Sequence, residues 1–296
     1  MPFNKALLLT VDPAREAGYA HLRAQLIAER MGLSVRLLLP CAEPGAEARD
    51  RLQEQAEGFR KREIAVDTEV AWQGSVQGTI VEALKASGAG LLIKDADPAT
   101  PLEGLVTPRD WKLMRFAPCP VLLVKQHRPW ESRAILAAID ANPHDPDHQA
   151  LNQKILRAAA RIAQTSGGPL HVVSAYSTAM QGSDLSTETP AAKAQRYRSV
   201  CQELCAEQGV TPADIHVGEG PVEAWVSQTA QHLDAALVVM GTVARRGLQA
   251  LLMGGNTAET LLARLEADTL TLKPQGADTL LELLFAEQKA TDESEF

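Results

Sequence analysis

Two doubly wound α/β domains in tandem, each a five-stranded parallel sheet with helices on both faces, are what this sequence predicts. Three observations carry the prediction. Ten short aliphatic runs recur along the 296 residues, and such runs mark strands that a parallel sheet buries on both faces. Amphipathic segments of helical period separate them, as crossovers between parallel strands require. The second half also repeats the first in the same order.

In the first half the runs are ALLLTV (6–11), SVRLLL (34–39), VDTEVAW (66–72), GLLIK (90–94) and PVLLVK (120–125). In the second they are AILAAI (134–139), LHVVSAY (170–176), DIHVGE (214–219), ALVVMGT (236–242) and TLTLK (269–273). YAHLRAQLIAERMG and LNQKILRAAARIAQTSG are among the helical segments between them. The run ending at Asp12 matches the run ending at Asp140 at an offset of 128. Gly74 matches Gly220, and LLIKDA from 91 matches LVVMGT from 237, both at an offset of 146. The difference places eighteen additional residues in the second half, and the polar stretch MQGSDLSTETPAAK is the loop expected to hold them. A repeat of this length means two copies of one folding unit. Domains are expected over 1–128 and 132–275, parted at QHRPWES. The tail 276–296 is expected to form a short docked helix at TLLELLFAE and then an acidic end.

Composition narrows the function. The chain is 45% hydrophobic, 22% charged and only 4% aromatic, with a net charge of −8. No segment is basic enough to neutralise a row of phosphates, so nucleic acid is not an expected partner. Cys41, Cys119, Cys201 and Cys205 form no CxxC pair and read as reduced thiols of a cytosolic protein. MPFNKALLLTVD lacks the basic and apolar regions of a signal peptide, and no apolar run reaches the ~20 residues that span a bilayer. The expectation is a cytoplasmic protein with no membrane partner. There is no G-x-S-x-G, HExxH or GxxxxGK[ST], and His171 and Ser174 share a strand without pairing, so no catalytic residues are assigned. The stretch from Asp140 to His148 gathers carboxylates and histidines, but its two prolines fix no ligand geometry; capping of the next helix by Asp147 is expected, and no metal.

Ligands of open parallel sheets lie beyond the carboxyl ends of the strands. Asp140 ends the first strand of the second half, where a carboxylate can accept hydrogen bonds from a base or a ribose. At 172–175, around Val173, backbone groups stand at the end of the second strand, and the Gly220-Pro221 turn opens a helix. At 240–262, MGTVARRGLQALLMGGNTAETLL, a strand runs into a glycine-rich loop with Arg245 and Arg246, and a helix opens at Asn256 and Thr257. A helix amino end is an anion site, and Asn256 with Glu259 can form a capping box there. In the first half Thr107, Pro108 and Asp110 read as a helix start, and Trp111, Leu113 and Met114 as core.

The 240–262 segment resembles the nucleotide-binding loop of universal stress proteins, whose pattern is Gly, two residues, Gly, nine residues, Gly, then Ser or Thr. Together with ALNQKILRAAARIAQ and the phrase TP-x-DW-x-L, it resembles the tandem E-type members over essentially the whole chain. The resemblance implies Rossmann-like domains of the adenine nucleotide alpha hydrolase-like kind and a non-catalytic stress-response protein. It implies ATP or another adenine nucleotide as ligand, at Asp140, Val173, Gly241, Val243, Arg245, Gly254, Gly255, Asn256 and Thr257. It also implies an internal pseudo-dimer paired through VLLVK and LTLKP, with a homodimer as a further state. Three positions depart from the pattern. Ala244 stands for the second glycine, Asn256 for the hydroxyl residue, and ten residues rather than nine separate Ala244 from Gly255. Two other readings therefore stay open: an adaptor that holds an apolar ligand or a protein, and a slow ATP hydrolase. In the first half no glycine-rich loop follows LLIKDA, and no phosphate site is expected there. If Gly241 backs onto a ligand, Gly241→Val is expected to abolish binding and leave the fold intact.

Overall fold

The structure, a computed structural model, describes residues 5–12, 18–97, 109–143, 145–176, 188–242 and 264–274. These fall into two units, one up to His127 and one from Arg128 to Pro274.

The first unit runs β1 (Ala6–Thr10), α1 (Tyr19–Met31), β2 (Ser34–Pro40), α2 (Ala46–Arg60), β3 (Val66–Ala71), α3 (Val76–Ser87), β4 (Leu91–Asp95), α4 (Arg109–Phe116) and β5 (Val121–Val124). Its strands lie in the order β3-β2-β1-β4-β5, all parallel, with Leu8 of β1 opposite both Arg36 and Leu92. Helix ends follow local chemistry. The Ser75 hydroxyl accepts from Gly78 N–H at 3.1 Å to start α3, and Gly32 ends α1 with a φ of 59°, a conformation that costs a side chain more than it costs glycine.

The second unit runs β6 (Ile135–Ala138), α5 (Pro146–Ser166), β7 (Leu170–Tyr176), α6 (Pro190–Glu207), β8 (Asp214–Glu219), α7 (Val222–His232), β9 (Leu237–Gly241) and β10 (Asp268–Leu272). Its order is β10-β9-β6-β7-β8, again all parallel. Leu136, Val173, Val226, Val238 and Met240 form the core between this sheet and α7. Trp130, just before β6, donates its indole N–H to the buried Asp268 carboxylate at 2.7 Å.

All ten expected strands are present, and four details differ. First, β3 and β8 are not buried on both faces: Asp67 and Val70 of β3 and Asp214 of β8 differ in exposure from their neighbours because each strand pairs on one side only. Second, α5 is capped by Asp145, not Asp147. Pro146 suits the first helical position, which makes the residue before it the cap, and Asp145 accepts from His148 N–H at 2.9 Å. Third, the end of the loop expected at MQGSDLSTETPAAK is helix: Thr189 caps α6 and Pro190 opens it, while 177–187 lie outside the described residues. Fourth, Asp110 does more than start α4, since its carboxylate accepts from Asp97 N–H at 2.7 Å; Thr107 and Pro108 lie outside the described residues. Trp111, Leu113 and Met114 are buried as expected.

Among the described residues no helix is long and apolar enough to cross a membrane. No disulfide joins the four cysteines, and burial pushes the Cys201 thiol up to about 12 and the Cys205 thiol to about 11. Cys119 is buried as well, and Cys41 is partly exposed. In the native protein a disulfide reagent is therefore expected to titrate Cys41 first and the other three only as the fold opens. Rapid release of more than one equivalent would contradict this.

Candidate functional site

In each unit the chain leaves the first strand in one direction and returns on its other side, which opens a crevice beyond the carboxyl ends of β1 and β4, or of β6 and β9.

In the second unit Asp140 lies just past β6, exposed, and its position is fixed from α5. Asn152, only 3% exposed, accepts from Asp140 N–H at 3.0 Å and donates to Asp140 C=O at 2.6 Å. The Asp140 carboxylate closes its own turn, accepting from Asn142 N–H at 2.8 Å. Ser174, buried near the end of β7, accepts from Ala141 N–H at 3.2 Å. The Ser174 hydroxyl thus shapes the loop, while His171 lies with its Nδ1 3.1 Å from His216 Nε2 on β8. Asn152 escaped the sequence reading. Its signal was an amide on the apolar face of a helix, between Leu151 and Ile155.

Val173 is fully buried in the core, and its C=O accepts from Ile139 N–H at 3.0 Å. Gly241 ends β9 against α5: a Cβ there would lie 2.3 Å from Leu151 Cδ2 and 3.3 Å from Ile155 Cδ1. This revises the expectation that Gly241→Val spares the fold. The branched side chain must displace Leu151, and a destabilisation of about 1–3 kcal/mol is expected in urea unfolding. Unchanged stability would show that α5 shifts freely. Val243, Ala244, Arg245, Gly254, Gly255, Asn256 and Thr257 lie outside the described residues. Among the described residues no three His, Cys, Asp or Glu side chains gather to hold a metal ion.

In the first unit the repeat places Asp95 where the second unit has Gly241. The Asp95 carboxylate reaches the amino end of α1 and accepts from Ala20 N–H at 2.8 Å. Gly18 makes this approach feasible, because a Cβ at Gly18 would lie 2.0 Å from Asp95 Oδ2. Lys94, also buried, sits 2.6 Å from Asp97 Oδ1 and 2.9 Å from Asp110 Oδ1 and donates to Asp95 C=O at 2.8 Å. Burial alone would lower the Lys94 pKa, but the Asp110 and Asp97 carboxylates outweigh it and hold the pKa above its ordinary value. A cavity of about 220 Å³ opens beside these groups at the β1/β4 crevice.

Two doubly wound parallel units, each with a crevice where its strand order reverses, define a tandem Rossmann-like α/β protein. A profile of the universal stress protein family matches residues 131–273. Universal stress protein E of Escherichia coli (strain K12) is 28% identical over 313 residues, 96% of this chain and 98% of that one. A solved Pseudomonas aeruginosa UCBPP-PA14 structure, assigned to the universal stress proteins, is 38% identical and covers 95% of this chain and 97% of its own, at a TM-score of 0.77. A universal stress protein from Archaeoglobus fulgidus DSM 4304, 14% identical over 92% of this chain and 99% of its own, shares the fold at a TM-score of 0.61. The chain belongs to the universal stress protein family, and over nearly its whole length it is similar to the E-type members.

Proposed function

We propose that this is a non-catalytic, cytoplasmic stress-response protein whose second unit binds an adenine nucleotide at the β6/β9 crevice. The observation that carries the reading is the contrast at one repeat position. Where the first unit places the carboxylate of Asp95, the second has Gly241, which carries no side chain. The exposed Asp140 carboxylate stands across the same crevice on a loop that Asn152 fixes, suited to accept from a base amino group or a ribose hydroxyl. Val243, Arg245, Gly254, Gly255, Asn256 and Thr257 would then meet the phosphates, with backbone N–H groups at the Asn256 end as anion donors.

Mass spectrometry of small molecules released from freshly purified protein, followed by calorimetric titration with ATP, tests this reading. About one adenine nucleotide per chain, or micromolar ATP binding lost in Asp140→Ala, is the expected result. A protein that carries no nucleotide and ignores ATP would refute it and favour the adaptor reading, which Ala244 supports because it stands where the resembled pattern has glycine and adds a methyl. Phosphate released over time would instead establish slow hydrolysis.

A further inference from the structure

The outer edge of the second unit carries a pair of imidazoles that the crevice does not use. In the parallel register His171 of β7 lies opposite Asp214 of β8, and Val173 opposite His216. The two rings meet across the diagonal, His171 Nδ1 at 3.1 Å from His216 Nε2, with ring centroids 5.2 Å apart. At that separation the two nitrogens face each other, and the contact holds when one donates N–H and the other keeps its lone pair. Asp214 Oδ2 stands 3.9 Å from His216 Nδ1, which favours a proton on that nitrogen and leaves Nε2 as the acceptor. Among the described residues the charges around the pair are few. Asp214 comes from β8 itself, Arg198 reaches from α6 to 3.8 Å from Asp214 Oδ1, and His232 acts on His216 from the end of α7. β6 places Leu136 opposite His171, and α5 brings no charge that acts on either ring.

Counting protons shows what acid does here. A first added proton leaves the contact intact, because an imidazolium N–H still donates to a neutral ring. A second sets two N–H groups and two positive charges against each other, and the contact must open. Burial, and then the neighbouring His216, hold the His171 imidazole below its ordinary pKa. Burial does the same to His216, with Asp214 opposing it and Arg198 and His232 adding to it. The unfolded chain therefore takes up these protons more readily than the folded one. Stability from this edge is whole above the ordinary histidine value of 6.5 and is lost as pH falls below it. Two further features make the edge able to respond. β8 pairs with β7 alone, and α7 leans on β8, since a Cβ at Gly218 would lie 2.2 Å from Trp225 Cε2.

We propose that the His171–His216 pair is an acid-operated latch: protonation of both rings releases β8 from β7 and loosens α7, while β6 and β9 stay paired. The latch lies at the edge of the sheet, away from the crevice, and does not rest on the nucleotide reading.

Hydrogen exchange, read peptide by peptide on the full chain at about pH 7.5 and about pH 5 and corrected for the intrinsic pH dependence of exchange, decides the matter. Protection of β8 and α7 is expected to fall about tenfold or more relative to that of β6 and β9. His171→Gln keeps a hydrogen-bonding group beside His216 but removes one site of protonation, so the acid-dependent loss should shrink to about threefold or less. His216→Gln supplies the same comparison if His171→Gln does not fold. Histidine NMR on the parent should show the pair titrating in two coupled steps, the lower one below the ordinary histidine value. Asp214→Asn should move the upper step down, because it removes the carboxylate beside His216. The proposal fails if β8 and β6 lose protection together, or if the parent and the variants lose it equally at β8. It fails also, without any variant, if the two imidazoles titrate as independent groups near 6.5.

Discussion

Lys94→Met is expected to destabilise the first unit by about 3–5 kcal/mol, the usual consequence of removing one partner from a buried ionic cluster. Methionine matches the length of the lysine stem, so little packing is lost, but the Asp97 and Asp110 carboxylates then face each other without the ammonium between them. Asp95 C=O loses a donor at the same time. The triple variant Lys94→Met/Asp97→Asn/Asp110→Asn is the control, and it should recover much of the loss because no uncompensated charge remains. Acid should also narrow the gap between Lys94→Met and the parent as the orphaned carboxylates take up protons. The lysine's own contribution has the opposite pH limit. Its folded pKa lies above the ordinary 10.5, so the contribution is whole at neutral pH and is lost only as pH rises through the folded value. Urea unfolding at several pH values measures all of this. A loss under about 1 kcal/mol would mean that water reaches the two carboxylates and that the cluster is effectively a surface pair.

Asn152→Ala should cost the second unit about 2–3 kcal/mol, since it removes two hydrogen bonds and leaves both backbone groups of Asp140 without their amide partner. Stability alone would not distinguish a positioning role from a packing role, so the readout includes ligand. If the β6/β9 crevice binds nucleotide, ATP affinity should fall about tenfold or more in Asn152→Ala even at temperatures where the fold is intact. Asn152→Asp keeps an acceptor for Asp140 N–H but removes the donor to Asp140 C=O, and an intermediate affinity is expected. Full affinity in both variants would show that the loop holds Asp140 without help from α5.

The architecture was legible because its information is local. Runs such as ALLLTV and ALVVMGT declare strands by composition, and YAHLRAQLIAERMG declares a helix by its period. The edge strands were read as more deeply buried than they are, although Asp67 and Glu69 of β3 and Asp214 and Glu219 of β8 hint that one side has no neighbour. Asp140 was legible as an acid after a buried strand; Asn152, which fixes it, was not, since its partner lies twelve residues away across a turn. The Asp95 cluster was legible least of all. Nothing near Gly18 in sequence announces a carboxylate 77 positions on, and the run DADP after LLIK reads as solvated loop until Lys94 is seen folded among its charges.

The reach of Asp95 to α1 also sets how that helix responds to its surroundings. A carboxylate delivered by its own strand competes at an effective concentration that free anions in the millimolar range do not match. The amino end of α1 is thus supplied with an anion from within the fold. If the nucleotide site proposed for the second unit holds, the crevice that ends in Gly241 differs in this respect, and its occupancy would rise and fall with metabolite levels.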